Sequence, residues 1–338
     1  KENNLLKEIL RLEKKVVSGP EWLYQNILSN KKVIAVSGTH GKTTVTSMIA
    51  HALINNNFDP NYLIAGIPKK LEKSWNISND EVFVIEADEY DTCYFDKRPK
   101  FFHYRPNILL INNIEFDHAD IYENIEMIEK NFFELIKTMP SKSKVLINEK
   151  KVSKSFRNKL KKEKLKTTLQ FLSLNTSNIH EENKLLAAHA IEDLISKEKV
   201  LNGLKDYIGV KRRFETIFNN KNFKLIDDFA HHPTAIEETI KMIREQTDNL
   251  TLIVELGSNS MKRGVHDKRL VDIFKNQETY TINASAEQEK IFSVHAKELT
   301  NDDIVKICSK DEKKKTILMC GNRNFHGFQK LILNQLIK

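Results

Sequence analysis

The chain has 338 residues, 40% of them hydrophobic and 30% charged, which is enough for about two domains with cores of their own. No apolar run reaches the length of a membrane span and no signal-peptide pattern opens the chain; its first residue is Lys, as expected of a fragment or a trimmed start. The net charge of +8 suits the gathering of anionic substrates, and the basic stretch 150–166 has few aromatic residues and no nucleic-acid motif beside it, so it reads as a solvated face.

In chain order, residues 1 to about 30 read as helical, with Leu5, Leu6, Ile9, Leu10 and Leu12 on one face and a break at Ser18-Gly19-Pro20. Residues 33–36 form an apolar strand. It runs into Ser37-Gly38-Thr39-His40-Gly41-Lys42-Thr43-Thr44 and then an apolar-periodic helix over 45–53. A strand, a tight glycine loop and a helix N-terminus make a cradle for phosphate: backbone N–H groups point inward, Lys42 adds a full charge, and the Thr43 hydroxyl can ligate Mg²⁺. Val36 stands where the longer nucleotide-loop pattern has a glycine, so this is a shorter variant.

Residues 82–85 and 108–111 read as further parallel strands buried on both faces, ending in Glu86-Ala87-Asp88-Glu89 and in Asn112-Asn113-Ile114-Glu115-Phe116-Asp117-His118. A helix is predicted over 122–138, a strand over 145–147, a surface helix or insertion over 150–166 and a helix over 181–194. Strand–helix alternation restarts at Phe223, with strands at 224–228, 250–255, 280–283 and 316–320 and helices from Thr234, near 302–308 and from about Phe325. Cys93, Cys308 and Cys320 are widely spaced and odd in number, which fits a reducing compartment.

Three strand ends thus carry Lys42 and Thr43, then Glu86 with Asp88 and Glu89, then Asp117 and His118. A nucleotide enzyme needs hard oxygen ligands for Mg²⁺. Glu86, directly after its apolar run, is the first candidate beside Thr43, and His118 is the candidate for a second ion. Asp227-Asp228-Phe229-Ala230-His231-His232-Pro233-Thr234 reads either as a metal pair or as a turn and helix cap. Lys211-Arg212-Arg213-Phe214-Glu215 reads either as a phosphate-binding guanidinium group or as a surface charge cluster.

Taken together, these spaced motifs resemble the Mur ligase family of peptidoglycan enzymes. The stretch Glu86 to Pro106 is more similar to the branch that adds a tripeptide than to the branch that adds L-alanine, as is Ser258-Asn259-Ser260-Met261-Lys262-Arg263-Gly264-Val265-His266. The resemblance implies an α/β fold: a remnant of a UDP-sugar-binding domain over 1–30, that domain being largely absent; a central P-loop-type ATPase domain over 31–209 with a mostly parallel sheet; and a Rossmann-like ligase domain over 210–338. It implies ATP and Mg²⁺ as cofactors and a C–N bond formed through an acyl phosphate. UDP-N-acetylmuramate would be joined to the L-alanyl-γ-D-glutamyl-meso-diaminopimelate tripeptide. L-alanine as acceptor, or a degenerate module that binds ATP without ligating, are the alternatives.

Carried over residue by residue, the resemblance makes Lys42, Glu86, His118, Arg213 and Asp228 catalytic. Gly38, Thr39, His40, Gly41, Lys42, Thr43, Thr44, Asn113, Asn183, Arg213, Asp228 and His231 would bind the nucleotide, and Thr43, Glu86 and His118 the metal. It implies a cytoplasmic monomer or weak homodimer with no nucleic-acid or membrane partner. There are also departures. Ile179 and His180 stand where the family has His-Asn before Asn183, Leu256-Gly257 replaces Pro-Arg, and the last strand is followed by Gly321-Asn322-Arg323-Asn324-Phe325-His326-Gly327.

Overall fold

The computed structural model describes residues 3–176, 178–309 and 313–337. Residues 1, 2 and 338 of the predicted end domains, and the side chain of Leu10, lie outside the described residues. The strands are β1 (Lys32–Ser37), β2 (Asn61–Leu63), β3 (Trp75–Asn76), β4 (Val82–Glu86), β5 (Asp91–Cys93), β6 (Asp96–Pro99), β7 (Ile108–Ile111), β8 (Lys144–Asn148), β9 (Thr168–Leu172), β10 (Glu215–Asn219), β11 (Phe223–Asp228), β12 (Leu250–Glu255), β13 (Glu278–Ile282), β14 (Lys297–Glu298) and β15 (Lys315–Cys320).

Two sheets result. The first runs β3-β2-β4-β1-β7-β8-β9 and is parallel except at the β2–β3 edge. The second runs β10-β11-β15-β12-β13-β14 and is parallel except at β10–β11. β1 explains why the first sheet must be covered on both faces. Its alternate residues split, Ile34 and Val36 into one core and Val33 and Ala35 into the other. Helix Lys42–Ile54, buried nearly all round, fills the first core against helices Ile179–Ala190 and Lys197–Gly203. Helices Phe101–Tyr104, Ile125–Thr138 and Lys154–Lys162 close the other. In the second sheet, Ile226, Leu252, Val254 and Leu318 face helices Pro233–Arg244 and Asp267–Phe274, while Leu225, Ile253, Ile317 and Met319 face helices Asn301–Ile307 and Phe328–Ile337.

Several expectations shift in detail. The predicted 122–138 helix begins at Ile125, because Asn124 caps it by accepting from Met127 N. The basic 150–166 stretch is not only surface: Phe156 and Leu160 are buried, one helical turn apart. The first helix, Asn4–Arg11, keeps its predicted period, but Leu5 is 69% exposed and Leu6 and Ile9 are only half-buried. The carboxyl ends of β1, β4 and β7 meet those of β11, β12 and β15 in one cleft, where ligands of parallel sheets collect.

Candidate active site

The loop after β1 is shaped by what lies over it. Gly38 and Gly41 have φ of 136° and 81°, which side chains rarely adopt. A Cβ on Gly38 would also lie 2.9 Å from Asn113 N. The loop after β7 grips this turn. Asn113 accepts from His40 N (3.0 Å) and donates to His40 O (3.0 Å), Asn112 donates to His40 O (3.1 Å), and Thr39 Oγ1 donates to Glu115 O (3.1 Å). Asn113 therefore braces the loop and does not line the cavity below it, and the same is true of Gly38.

Lys42 opens the following helix. Its Nζ donates to Gly38 O (2.7 Å) and to Glu89 Oε2 (3.1 Å) and lies 3.4 Å from Asp88 Oδ1. Burial works against its charge, but Glu89, Asp88 and Glu86 outweigh burial and hold the ammonium above its ordinary pKa. Next to it, Thr43 Oγ1 donates to Glu86 Oε2 (3.0 Å), and Glu86 Oε1 accepts from Ala65 N (2.6 Å). Burial pushes the Glu86 carboxyl up, against its hydrogen bond from Ala65 and the charges of Arg213 and Lys42.

His118 sits apart from that pair. It has φ of 55°, and its Nε2 lies 3.4 Å from Glu89 Oε1 with no hydrogen-bond partner. One ligating atom each from Asp88, Glu89 and His118 lies within 4.8 Å of the others. Despite burial, Lys42 and Lys100 bring Asp88 down to about 2. Burial lowers His118, but the Glu89 carboxylate more than reverses this. Hard oxygens with one buried, unpartnered imidazole nitrogen suit a divalent cation, and so do the Thr43 and Glu86 oxygens. Sequence reasoning had singled out Glu86 and left Glu89 as a neighbour. Glu89 is 1% exposed between Lys42 and His118, and the one sequence signal for it is its place as the second acid after β4.

The second sheet closes the cleft from the other side. Arg213 Nη2 donates to Thr43 Oγ1 (3.0 Å) while its guanidinium lies 4.6 Å from the Phe229 ring centre. Asp228 accepts from Thr239 Oγ1 (2.7 Å) and Ala230 N (3.1 Å), and burial raises its carboxyl. Arg213, Asp228, Thr44, His40, Gly41 and Asn183 line a cavity of 310 Å³, walled also by Tyr207, a residue in no sequence motif. Asn183 Oδ1 is buried there without a partner. Lys42, Thr39, Thr43, Glu86, His118 and His231 line an adjoining cavity of 470 Å³. Burial lowers His231. The cleft thus gathers every predicted site residue except Gly38 and Asn113.

Side chains also cross between the sheets. Ser260 Oγ donates to Asp117 Oδ1 (2.6 Å) and accepts from Ala119 N (3.2 Å). Glu115 lies between His40 (3.1 Å) and His232 (3.4 Å), and burial drives His232 down to about 4.

With this geometry in hand, comparison with known proteins gives a consistent result. Residues 36–200 match the Mur ligase middle domain and residues 212–323 the Mur ligase glutamate ligase domain. A relative named UDP-N-acetylmuramate–L-alanyl-γ-D-glutamyl-meso-2,6-diaminoheptandioate ligase, from Haemophilus influenzae, is 33% identical over 305 residues, 78% of this chain. The chain spans 65% of that relative's length, just short of two thirds. A solved murein peptide ligase from Psychrobacter arcticus superposes with a TM-score of 0.71 at 27% identity, covering 99% of this chain and 84% of that one. The ligase of the same diaminopimelate type from Neisseria meningitidis gives a TM-score of 0.56 at 31% identity, over 62% of this chain and 76% of its own.

Proposed function

Because this chain belongs to the Mur ligase family, we propose that it is an ATP-dependent ligase that joins the L-alanyl-γ-D-glutamyl-meso-diaminopimelate tripeptide to UDP-N-acetylmuramate. The observation that carries this reading is the convergence of Lys42, Thr43, Glu86 and His118 from one sheet with Arg213 and His231 from the other on a single cavity. The lactyl carboxylate oxygen of UDP-N-acetylmuramate attacks the γ-phosphorus of ATP, and ADP leaves. The tripeptide's α-amine then attacks the acyl carbon, loses a proton, and phosphate leaves with the acyl oxygen. Such a reaction needs positioning and charge stabilisation more than covalent help from the protein.

In this reading Lys42 turns from its carboxylate partners to the β- and γ-phosphates. The Asn183 amide faces the base, and Asp228 with Arg213 holds the nucleotide from the second sheet. Gly38 and Asn113 keep the loop in shape. Thr43 and Glu86 would hold one Mg²⁺, and His118 with Asp88 or Glu89 a second. When bound, the ions neutralise phosphate charge. Arg213 already touches Thr43, so it reports whether the nucleotide site and the second sheet are in register. We also place the junction between the two halves near Gly209, where φ is 91° and Val210 bridges to Pro68. Among the described residues no helix is long and apolar enough to cross a membrane, and a cytoplasmic location belongs to the same proposal.

Phosphate release tests it. Full-length protein with Mg-ATP and UDP-N-acetylmuramate is expected to release phosphate when the tripeptide is added and not with L-alanine alone. Release with L-alanine alone moves the acceptor assignment to the alanine-adding branch. No release with either acceptor, despite ATP binding, overturns the ligase reading.

A further inference from the structure

β12 and β15 are neighbours in register, Val254 opposite Cys320, so the turns after them leave the same sheet edge side by side. Arg323, in the second turn, lies across Gly257 in the first. A Cβ built on Gly257 would stand 2.7 Å from Arg323 Cγ and 2.9 Å from Asn322 Oδ1. Gly257 does not have a left-handed φ. Its backbone does not demand glycine, and what excludes a side chain there is the stem of Arg323.

The second turn is pinned by its main chain. Glu255 accepts from Arg323 N (3.0 Å) and Phe325 N (3.1 Å). The guanidinium itself makes one long hydrogen bond, Nε to Gly257 O at 3.5 Å, and pairs with no carboxylate among the described residues. Arg323, exposed at the surface, lines a cavity of 180 Å³ between the two sheets, which Asn322, Tyr90, Asp88, His118 and His231 also line. Asn322, which lines the cavity, has its Oδ1 buried beside Gly257 without a hydrogen-bond partner. This cavity shares Asp88, His118, His231 and Asn322 with the 470 Å³ cavity that holds Lys42. A molecule in the smaller cavity therefore has one end beside the reacting groups and the other beside an unpaired guanidinium.

We propose that Arg323 is the residue that binds a carboxylate of the acceptor, its stem filling from the turn after β15 the space that a side chain at position 257 would fill from the turn after β12. The inference rests on the ligase reading above and names how that site recognises its amine substrate. A planar fork of donors without an internal carboxylate is suited to bidentate capture of a substrate carboxylate. Asn322 Oδ1 accepts from an N–H of the same substrate. The guanidinium takes the carboxylate end, which leaves the amine end toward the cavity that holds Lys42 and sets the acceptor's direction.

The test is steady-state kinetics on the full-length protein with the tripeptide as the varied substrate. Arg323→Gln is expected to raise the acceptor KM about 10- to 100-fold, with the KM for ATP unchanged and kcat little altered. Arg323→Lys falls between. Gly257→Arg combined with Arg323→Gly is expected to bring the acceptor KM back to within a few-fold of the starting protein, while Gly257→Arg alone clashes with the Arg323 stem. With a tripeptide whose carboxylates are amidated, Arg323→Gln has nothing left to remove and changes KM no further. An unchanged acceptor KM in Arg323→Gln, or an equal loss with the amidated tripeptide, overturns the inference and leaves the ligase reading standing. No acceptor-dependent turnover in the unmodified protein overturns both.

Discussion

The two ends of the cleft are built by different means. At the nucleotide end, the turn after β1 is fixed by main-chain geometry: two glycines with positive φ, and Asn112 and Asn113 bonded to the His40 backbone. At the end where we propose the acceptor binds, the turn after β15 is held by the Glu255 side chain, which accepts from Arg323 N and Phe325 N, and one side chain fills the space between the turns, Arg323 over Gly257. The first kind of construction ties each residue to its position. The second lets one space be filled from either of two adjacent turns. A cleft built in this way can keep its phosphate chemistry and still vary its acceptor contacts.

The sharpest way to break the comparison is at Lys42. Lys42→Ala is expected to lower ATP-driven phosphate release by roughly 100- to 1,000-fold and to leave the acceptor KM unaltered in whatever turnover remains. Retained turnover would sink the phosphate-loop assignment.

The contact between the sheets is open to pH. Burial pushes His232 down to about 4, against 6.5 for a free imidazole. Between pH 6.5 and 4 the unfolded chain binds a proton there that the folded chain refuses, so stability falls as pH falls through that window, by up to about 3 kcal/mol. Burial lowers His231 as well, which adds with the same sign. His118 is raised and so carries its proton in both states below pH 6.5, adding no slope. Glu115, held at about 2 chiefly by its hydrogen bond to His40 against burial, costs stability only below pH 4.5. Urea midpoints at pH 6 and pH 5, below the range where His118 acts with the opposite sign, measure the slope, and His232→Gln is expected to flatten it. An equal slope in that variant would place the titration elsewhere.

The same division decides what could be read from the chain beforehand. β1, β4, β7, β11, β12 and β15 are apolar runs buried on both faces, and such runs announce themselves. The strands at the margins do not: β2, β3 and β14 have two or three residues each, fewer than a period needs. The hairpin β5–β6 and β9 are half-polar and draw their order from neighbours. At the site, the phosphate loop was legible because it needs glycines and a lysine at fixed spacing. Glu89 was not, because three acids lie within the four residues from 86 to 89 and only the fold shows which one lies between Lys42 and His118. The packing of Arg323 on Gly257 was hidden as well, since more than sixty residues separate two positions that only sheet order makes adjacent.

Glu89 offers a smaller effect that sharpens the nucleotide side. Glu89→Gln removes a carboxylate from the cluster with Asp88 and His118 but keeps its shape. The Mg²⁺ concentration giving half-maximal phosphate release is expected to rise about 10-fold or more. An unchanged Mg²⁺ dependence would reduce Glu89 to an anchor for Lys42.

The smallest effect is expected at the rim. Lys151 and Glu238 join the two sheets at 2.7 Å, each about a quarter exposed. Burial opposes the Lys151 charge, and the hydrogen bond to Glu238 more than restores it. Water and salt still reach the pair, so Lys151→Ala is expected to cost less than about 1 kcal/mol, and less again at high ionic strength. Ser260→Ala, by contrast, strips a hydroxyl from buried Asp117 at 2.6 Å and costs about 1–3 kcal/mol. Urea titrations of both single variants and the double variant give each loss and any coupling between them. If the sheets dock through their buried crossings, the serine loss exceeds the lysine loss and the two add. A larger loss at Lys151 would mean that the rim holds the sheets together, and the acceptor end would then owe its shape to charge pairing and not to packed side chains.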